Sequence, residues 1–582
     1  MAIRSKRRQP ADRTRVLGVI AGIFMAVVVV RLFSLQVLEH GFYDALAQGQ
    51  HSLYEQLFPT RGKIFVTDKT GTALFPLATN EPLMLVYANP SKITGDREDI
   101  ADKLAVILDM EADAIFERIS KADDVYEPLK HGVRKPEVEK IRALQFAGIE
   151  FTEEEARFYP EGRYGSHVAG FLGFDGDKRK GQYGIEGAFD KELAGEVGHL
   201  QAERDATGRW IAIGSRSLVP ARHGDNVVLT IDRAIQHAAC TKLDAAVEKH
   251  GADGGSVVVI NPTTGAILAM CGSPDFDPND YSNVDDAAVY LNPAIFKQYE
   301  PGSVMKAITM AAAVDQGKVG PNTTYTDNGF VKYGSFTIKN SDGKAHGVQT
   351  MTQVLEESLN TGAIFAMQQI GPEKFAQYLD KFGFGSKTDV ELQGEQAGDI
   401  SALDLGKEIY AATGSYGQGI TVTPLQLASA FGALANRGQL MKPYIVKELQ
   451  HPDGTTTATA PTSLRQVVSP QTATTVSAML VNVVRNGHGQ RAGVPGYYVA
   501  GKTGTAQVPK QDGPGYEENV TIGSFAGYAP VEQPVFAMAV RIDRPRDVQF
   551  AESSAAPLFG EIADFILSYY GVVPTTSATP AE

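Results

Sequence analysis

The sequence predicts an α+β protein: an antiparallel sheet with helices over residues 223–570, a smaller mixed region over residues 39–222, and one apolar helix near the N-terminus. Three observations predict it. Strand-like runs open and close the C-terminal region with helical runs between them, which suits antiparallel pairing better than alternating βαβ units. The chain has 582 residues, more than a single hydrophobic core serves. Apolar residues run from Val16 to Val30 and resume after Arg31 as far as Leu38, about the length of a bilayer-crossing helix.

The elements follow in chain order. Arg4, Lys6, Arg7, Arg8, Arg13 and Arg15 make a basic tail over residues 1–15. An uncleaved transmembrane anchor is expected over residues 16–38, with Arg31 near enough to one end to snorkel to the interface. A cleaved signal peptide is the rival reading, but no small-x-small site follows the apolar run; the next residues are Glu39, His40 and Gly41. The positive-inside rule places the basic tail in the cytoplasm and the rest of the chain outside it. Within residues 39–222, Pro82 to Tyr87 reads as a strand, and Ile100 to Leu108 and Pro136 to Phe146 as amphipathic helices. Arg157 to Gly187 is dense in glycine and aromatic residues, which suggests turns and tight backbone contacts.

The region over residues 223–570 begins with a strand, Val227 to Asp232, entering a helix at Arg233. Ser256 to Ile260 and Ala266 to Met270 form a hairpin about the turn Asn261 to Gly265. Helices are expected over Met305 to Val314, Leu425 to Leu434 and Pro557 to Tyr569, and a strand pair near Tyr498 to Ala500 and Phe536 to Val540. Residues 571–582 read as a frayed tail.

Composition narrows the function. With 43% hydrophobic and 21% charged residues the chain is globular. A net charge of -14 argues against nucleic acid as a partner. Cys240 and Cys271 have no zinc spacing; they read as two buried thiols, with a disulfide as the alternative.

Three short elements carry chemistry. Ser303-Val-Met-Lys306 places a serine at the start of the Ala-rich helix and a lysine three residues on, on the same face. The positive end of the helix dipole favours developing negative charge near the serine. A desolvated lysine amine loses basicity and can accept the serine proton. Ser358-Leu-Asn360 offers a hydroxyl for proton relay and an amide for a substrate carbonyl. Lys502-Thr503-Gly504-Thr505 sits at a strand entry, where a lysine and two hydroxyls suit a carboxylate and Gly504 lets substrate backbone approach. Each element is weak alone, and the chain holds decoys for two of them. Ser341-Asp-Gly-Lys344 reads as a turn with no apolar helix behind it, and Lys69-Thr-Gly-Thr72 as a hairpin turn after Ile64-Phe-Val. Order selects among them: only Ser303, Ser358 and Lys502 run as S-x-x-K, S-x-N and K-T-G within one region. His167, in a glycine-rich turn, reads as structural, and Asp275, Asp277 and Asp280 as a loop without calcium-site spacing. No G-x-S-x-G elbow, zinc-protease motif or phosphate loop is present.

With this ordered triplet the chain resembles the class B penicillin-binding proteins, the monofunctional peptidoglycan transpeptidases. Tyr299-Glu-Pro-Gly-Ser303, Leu229-Thr-Ile-Asp232 with Gln236, Gly417-Gln-Gly419 with Thr423-Pro-Leu-Gln426, and Gly527-Tyr-Ala-Pro530 are similar to that family's segments. So are Arg61-Gly62, Arg157 with Tyr159-Pro160, and Gly184-Ile-Glu186 in the first region. The Glu-Pro-Gly lead resembles the division-type, FtsI-like branch, although Leu359 stands where many members of that branch have a second serine.

The resemblance implies a transpeptidase domain over residues 223–570 on a dimerisation, or pedestal, domain over residues 39–222. It implies Ser303 as nucleophile, Lys306 as its base, Ser358 as proton relay, and Asn360 as the holder of a stem-peptide amide. Lys502, Thr503, Gly504 and Thr505 would bind the terminal carboxylate, and the N–H groups of Ser303 and Thr505 would form the oxyanion hole. Implied partners are peptidoglycan stem peptides, lipid-linked precursor strands, β-lactams, the membrane, a SEDS-family glycosyltransferase and division proteins. No metal or cofactor is implied. A carboxypeptidase or β-lactamase with the same site, a penicillin sensor, and a non-catalytic division scaffold are the alternatives.

Overall fold

A computed structural model describes residues 11–33, 52–57, 59–121, 124–175, 178–203, 216–510 and 513–575. Most of the basic tail, residues 34–38 of the expected anchor and the last seven residues of the tail lie outside the described residues. The apolar segment forms a helix over Ala11–Phe33, and its side chains from residue 17 to 33 are all exposed. Among the described residues, no helix is long and apolar enough to cross a membrane.

Two compact units divide the chain, one within residues 1–59 and 195–223, the other within residues 60–194 and 224–582. The first holds a three-stranded antiparallel sheet in which Gly198–Glu203 pairs with Ser52–Leu57 on one side and Arg216–Val219 on the other.

The second unit holds two larger sheets. In the first, β1 (Ile64–Thr67) pairs antiparallel with β2 (Leu74–Ala88) and parallel with β3 (Asn226–Asp232). The sheet therefore runs across the domain boundary expected at residues 222 and 223. β2 also pairs with Glu127–Val133 and Ile149–Phe158, and the helices Arg97–Leu108 and Lys135–Ala143 cover this end with Ile100, Leu104, Val138 and Ile141. The family-like segments of the first region meet in one buried cluster. Glu186, fully buried, accepts from Arg61 at 2.6 Å and from Arg157 at 2.6 Å. Gly62 has no room for a side chain, since a Cβ would lie 1.9 Å from the Asp225 carbonyl oxygen.

β3 leads into α1 (Arg233–His250), because the Asp232 carboxylate caps the helix by accepting from the Ala234 and Ile235 N–H groups. A left-handed Gly251 ends it. β4 (Gly254–Ile260) and β5 (Ile267–Ser273) then form the predicted hairpin, with Asn261 Oδ1 accepting from the Thr263 and Thr264 N–H groups in the turn. Next come α2 (Met305–Asp315), α3 (Asn360–Ile370) and α4 (Pro424–Ala435). A capping box between Thr423 and Gln426, with Pro424 in the first turn, starts α4. β6 (Ala500–Pro509), β7 (Tyr516–Ala529) and β8 (Phe536–Asp543) precede the last helix, α5 (Ala555–Tyr570).

The second sheet is fully antiparallel, in the order β5-β4-β8-β7-β6. The strand pair expected from Tyr498–Ala500 and Phe536–Val540 is corrected here: β7 lies between β6 and β8 and pairs with both. Its polar start, Tyr516-Glu-Glu-Asn-Val, hid it from a hydrophobic reading. Side-chain alternation splits the sheet between two cores. Val257 and Val259 pack with Ile235, Leu243, Phe559 and Ile562 of α1 and α5. Val258 and Ile260 pack with Ile308 of α2 and Phe431 of α4. Covered faces explain why β4 reads as an unbroken apolar run.

A disulfide joins Cys240 of α1 to Cys271 of β5, which overturns the reading of two buried thiols. The sequence had no means of placing the two Cα atoms 5.3 Å apart. Gln236 reinforces the same contact, exchanging hydrogen bonds of 2.8 and 2.9 Å with the Met270 backbone. Gln236 thereby pairs the Met270 backbone groups on an edge strand that would otherwise leave them unpaired.

Candidate active site

Ser303 lies in a tight turn, Gly302–Val304, directly before α2. Gly302 makes that turn possible: its φ is +58°, and a Cβ would come within 2.9 Å of the Thr505 carbonyl oxygen. The Gly302 N–H donates to the Gly417 carbonyl at 3.0 Å, and Tyr299 and Val422 exchange backbone bonds. The Ser303 turn is thereby laced to the loop at residues 415–422. Gly417 is the closest point, since a Cβ there would lie 2.2 Å from the Gly302 carbonyl oxygen. The Ser303 side chain is half-buried, and among the described residues its hydroxyl makes no hydrogen bond.

Lys306, one turn on in α2, is buried and turned toward Ser358. Its Nζ donates to the Ser358 carbonyl and lies 3.3 Å from Ser358 Oγ. Lys502, at the start of β6, has 0% exposure and lies 3.1 Å from the same Oγ. It also reaches the Thr503 carbonyl at 3.2 Å and the Thr503 hydroxyl at 3.3 Å. One hydroxyl thus sits between two buried amines. Ser358 occupies the link between the helix Met351–Glu356 and α3 with a left-handed φ of +54°, costly for a residue with a Cβ. That conformation turns its carbonyl to Lys306.

The electrostatics follow from burial. Desolvation, and then the nearby charge of Lys502, push the Lys306 amine well below its ordinary basicity. Burial brings Lys502 down to about 7, opposed by the negative charge of Glu552. Two ammonium groups facing one hydroxyl in a dry site repel each other, so burial and mutual repulsion both favour a neutral amine at this pair.

Four predicted residues are thus brought together: Lys306, Ser358, Lys502 and Thr503. The remaining four lie around them. Gly504 is tighter than expected, because its absent side chain makes room for the protein as well as for any substrate. A Cβ would stand 2.5 Å from the Pro301 carbonyl oxygen and 2.5 Å from Val304 Cγ2. The Ser303 turn rests directly on β6 at this point. Thr505 Oγ1 accepts from the Ala551 N–H at 3.0 Å, leaving its hydroxyl hydrogen to donate. Asn360 opens α3, and its side-chain amide donates to the Lys339 carbonyl at 2.9 Å. β6 is an edge strand, with one row of backbone groups not used by the sheet.

The decoys lie elsewhere and have other work. Lys69 sits in the β1–β2 turn, and its amine donates at 3.1 Å to the carbonyl of Tyr569, near the end of α5. Ser341 is in a turn after the strand Phe336–Lys339. His167 is buried, its Nε2 is 2.8 Å from the Val289 carbonyl, and burial takes it to about 4, so it stays neutral. Asp277 caps a short turn at Pro278–Asp280, and Asp275 pairs with Arg163. Sequence reading missed the role of the loop at residues 415–422. Its signal was present in Gly417 and Gly419, two glycines with positive φ flanking one glutamine.

The chain is similar to known proteins over most of its length. Residues 255–564 match the penicillin binding protein transpeptidase domain, and residues 56–229 the penicillin-binding protein dimerisation domain. The chain is 34% identical over 570 residues to stage V sporulation protein D of Bacillus subtilis, covering 97% of this chain and 86% of that one. It is 30% identical to the peptidoglycan D,D-transpeptidase FtsI of Escherichia coli, covering 90% and 86% of the two chains. The crystal structure of penicillin-binding protein 3 of Mycobacterium tuberculosis in complex with aztreonam superposes with a TM-score of 0.69 at 28% identity, covering 90% of this chain and 99% of that one. A serine-and-lysine site between a helix start and an edge strand defines the class. The chain belongs to the class B penicillin-binding proteins, with their transpeptidase and dimerisation domains.

Proposed function

We propose that this protein is a peptidoglycan D,D-transpeptidase that cross-links stem peptides through an acyl-enzyme on Ser303, in septal wall synthesis, and is a target of β-lactams. The observation that carries the reading is the Ser358 hydroxyl held between two buried amines inside the matched transpeptidase domain. Burial, and the nearby charge of Lys502, lower the Lys306 amine well below its ordinary basicity, the direction a general base needs. Lys306 takes the Ser303 proton as Oγ attacks the penultimate D-Ala carbonyl. The Ser303 and Thr505 N–H groups receive the oxyanion, a contribution of about 3–4 kcal/mol per donor in other serine enzymes. Ser358 passes the proton to the departing D-Ala amine, and the peptide bond breaks. Lys502, Thr503 and Thr505 hold the terminal carboxylate, with Gly504 bringing β6 close, while Asn360 orients the stem-peptide amide. An amine from a second stem then attacks the ester, its proton returns through Lys306, and Ser303 is released.

The finer setting belongs to the same reading. Residues 16–38 anchor the chain in the cell membrane as a single span, with the basic tail in the cytoplasm and the catalytic domain outside. The exposed apolar side chains from residue 17 to 33 support this, as does the Cys240–Cys271 disulfide, a bond of oxidising compartments. Lipid-linked precursor strands, a SEDS-family glycosyltransferase and division proteins are the partners such an anchored transferase requires.

A fluorescent penicillin tests the acceptor. Full-length protein in detergent is expected to take one label and keep it for longer than a hydrolase would, and to release it faster on addition of a stem-peptide amine. Rapid turnover of the label in water alone would replace the transferase with a carboxypeptidase or β-lactamase.

A further inference from the structure

Glu300 lies three residues before Ser303, between the two backbone links that lace the nucleophile turn to the loop at residues 415–422, Tyr299 with Val422 and Gly302 with Gly417. Its side chain adds a third link. Glu300 Oε1 accepts from the Gly419 N–H at 2.9 Å. Gly419 has a φ of +73°, which aims that N–H inward. The same carboxylate accepts from the Tyr516 hydroxyl at 3.1 Å on Oε2. Tyr516 is the first residue of β7 and stands opposite Pro509, the last of β6. One carboxylate therefore joins three segments: the turn that bears Ser303, the loop behind it, and the loop end of the hairpin whose edge strand bears Lys502 to Thr505.

We propose that Glu300 is a positioning residue for the acylation step, fixing Ser303 relative to the Lys502–Thr505 strand by clamping the 415–422 loop and the β6–β7 hairpin to the nucleophile turn. The backbone contacts tie the turn to the loop and to the middle of β6 near Gly504 and Thr505, while the start of β7 is tied to Arg544 through Glu517 and not to the turn. The Tyr516 bond closes that gap. Burial raises the carboxyl above its ordinary range, and the Gly419 and Tyr516 donors oppose that rise by favouring the charged form they bind. Tyr416, buried in the same loop, faces this charge.

The inference rests on the transpeptidase reading, and its test separates the two. Full-length wild type, Glu300→Ala, Glu300→Gln, Tyr516→Phe and the Glu300→Ala/Tyr516→Phe double variant are acylated with a chromogenic β-lactam under stopped flow, which resolves binding from the acylation rate constant. Displacement of a nucleophile by about 1 Å costs up to about a hundredfold in rate. Glu300→Ala is expected to lose about tenfold to a hundredfold in the acylation constant, with β-lactam binding and Tm close to wild type. Glu300→Gln keeps an oxygen for Gly419 and is expected to recover most of that loss. Tyr516→Phe is expected to lose less, and nothing further on top of Glu300→Ala. An unimpaired Glu300→Ala, a Glu300→Gln as slow as Glu300→Ala, or a rate loss that tracks a fall in Tm would overturn the proposal. A wild type that takes no label would instead overturn the functional reading.

Discussion

Gly504→Ala tests the contact between the Ser303 turn and the strand bearing Lys502 to Thr505. The added Cβ would stand 2.5 Å from the Pro301 carbonyl oxygen, 2.5 Å from Val304 Cγ2 and 2.7 Å from Ser524 Oγ. An ordinary contact needs about 3.5 Å, so something must give by about 1 Å. Ser524 can rotate, but Pro301 is backbone, and the Gly302–Gly417 bond holds it from the other side. β6 cannot retreat either, since it is paired along its length to β7. Overpacking of this kind costs about 1–3 kcal/mol, and a 1 Å misplacement of a reacting group costs up to about a hundredfold in rate. Stopped-flow acylation by a chromogenic β-lactam and a thermal melt measure both. The expected result is a folded variant with a modestly lower Tm and acylation slowed by about one to two orders of magnitude. Acylation at the wild-type rate would refute the claim that the turn rests on Gly504.

Three further outcomes follow from the same geometry. Lys306→Met is expected to abolish acylation yet raise the Tm at neutral pH: the native amine is depressed well below 10.5, so below that pH the unfolded chain binds more protons than the native one, and stability rises with pH up to the unfolded value. The gain is therefore expected to shrink as melts approach pH 10.5, and a Tm lower than wild type at neutral pH would contradict the burial argument. Ser358→Ala removes the hydroxyl shared by both lysines and is expected to slow acylation by about 10²-fold or more, read by stopped flow; a full wild-type rate would remove the proton relay. Replacing both Cys240 and Cys271 by serine opens a cross-link spanning 31 residues and is expected to cost about 3–4 kcal/mol in denaturant melts while leaving acylation at 25 °C intact; equal stability would show that Gln236 alone suffices at that edge.

Much of the C-terminal fold was legible because its signals are local. Asp232 caps α1, Thr423 and Gln426 box α4, and Asn261 builds the β4–β5 turn, each within a few residues of the element it shapes. β7 was not legible, because it opens on the polar, partly exposed residues Tyr516 to Asn519 before its buried stretch begins. The site was legible as an order of three short motifs, which also set aside the decoys at Ser341 and Lys69. The reason for Gly504, the Ser358 bridge between lysines and the Glu300 clamp were not. Each depends on backbone from a segment more than fifty residues away, and no periodicity encodes such a meeting. The disulfide failed for the same reason, since cysteine spacing says nothing of Cα separation.

The central claim is that Ser303 is the nucleophile. Mass spectrometry of the intact full-length protein after incubation with penicillin, with the adduct then mapped to a peptide, tests it most directly. One adduct on the peptide carrying Ser303, absent from Ser303→Ala, is the predicted result. An adduct on Ser341, or none on the wild type, would contradict it.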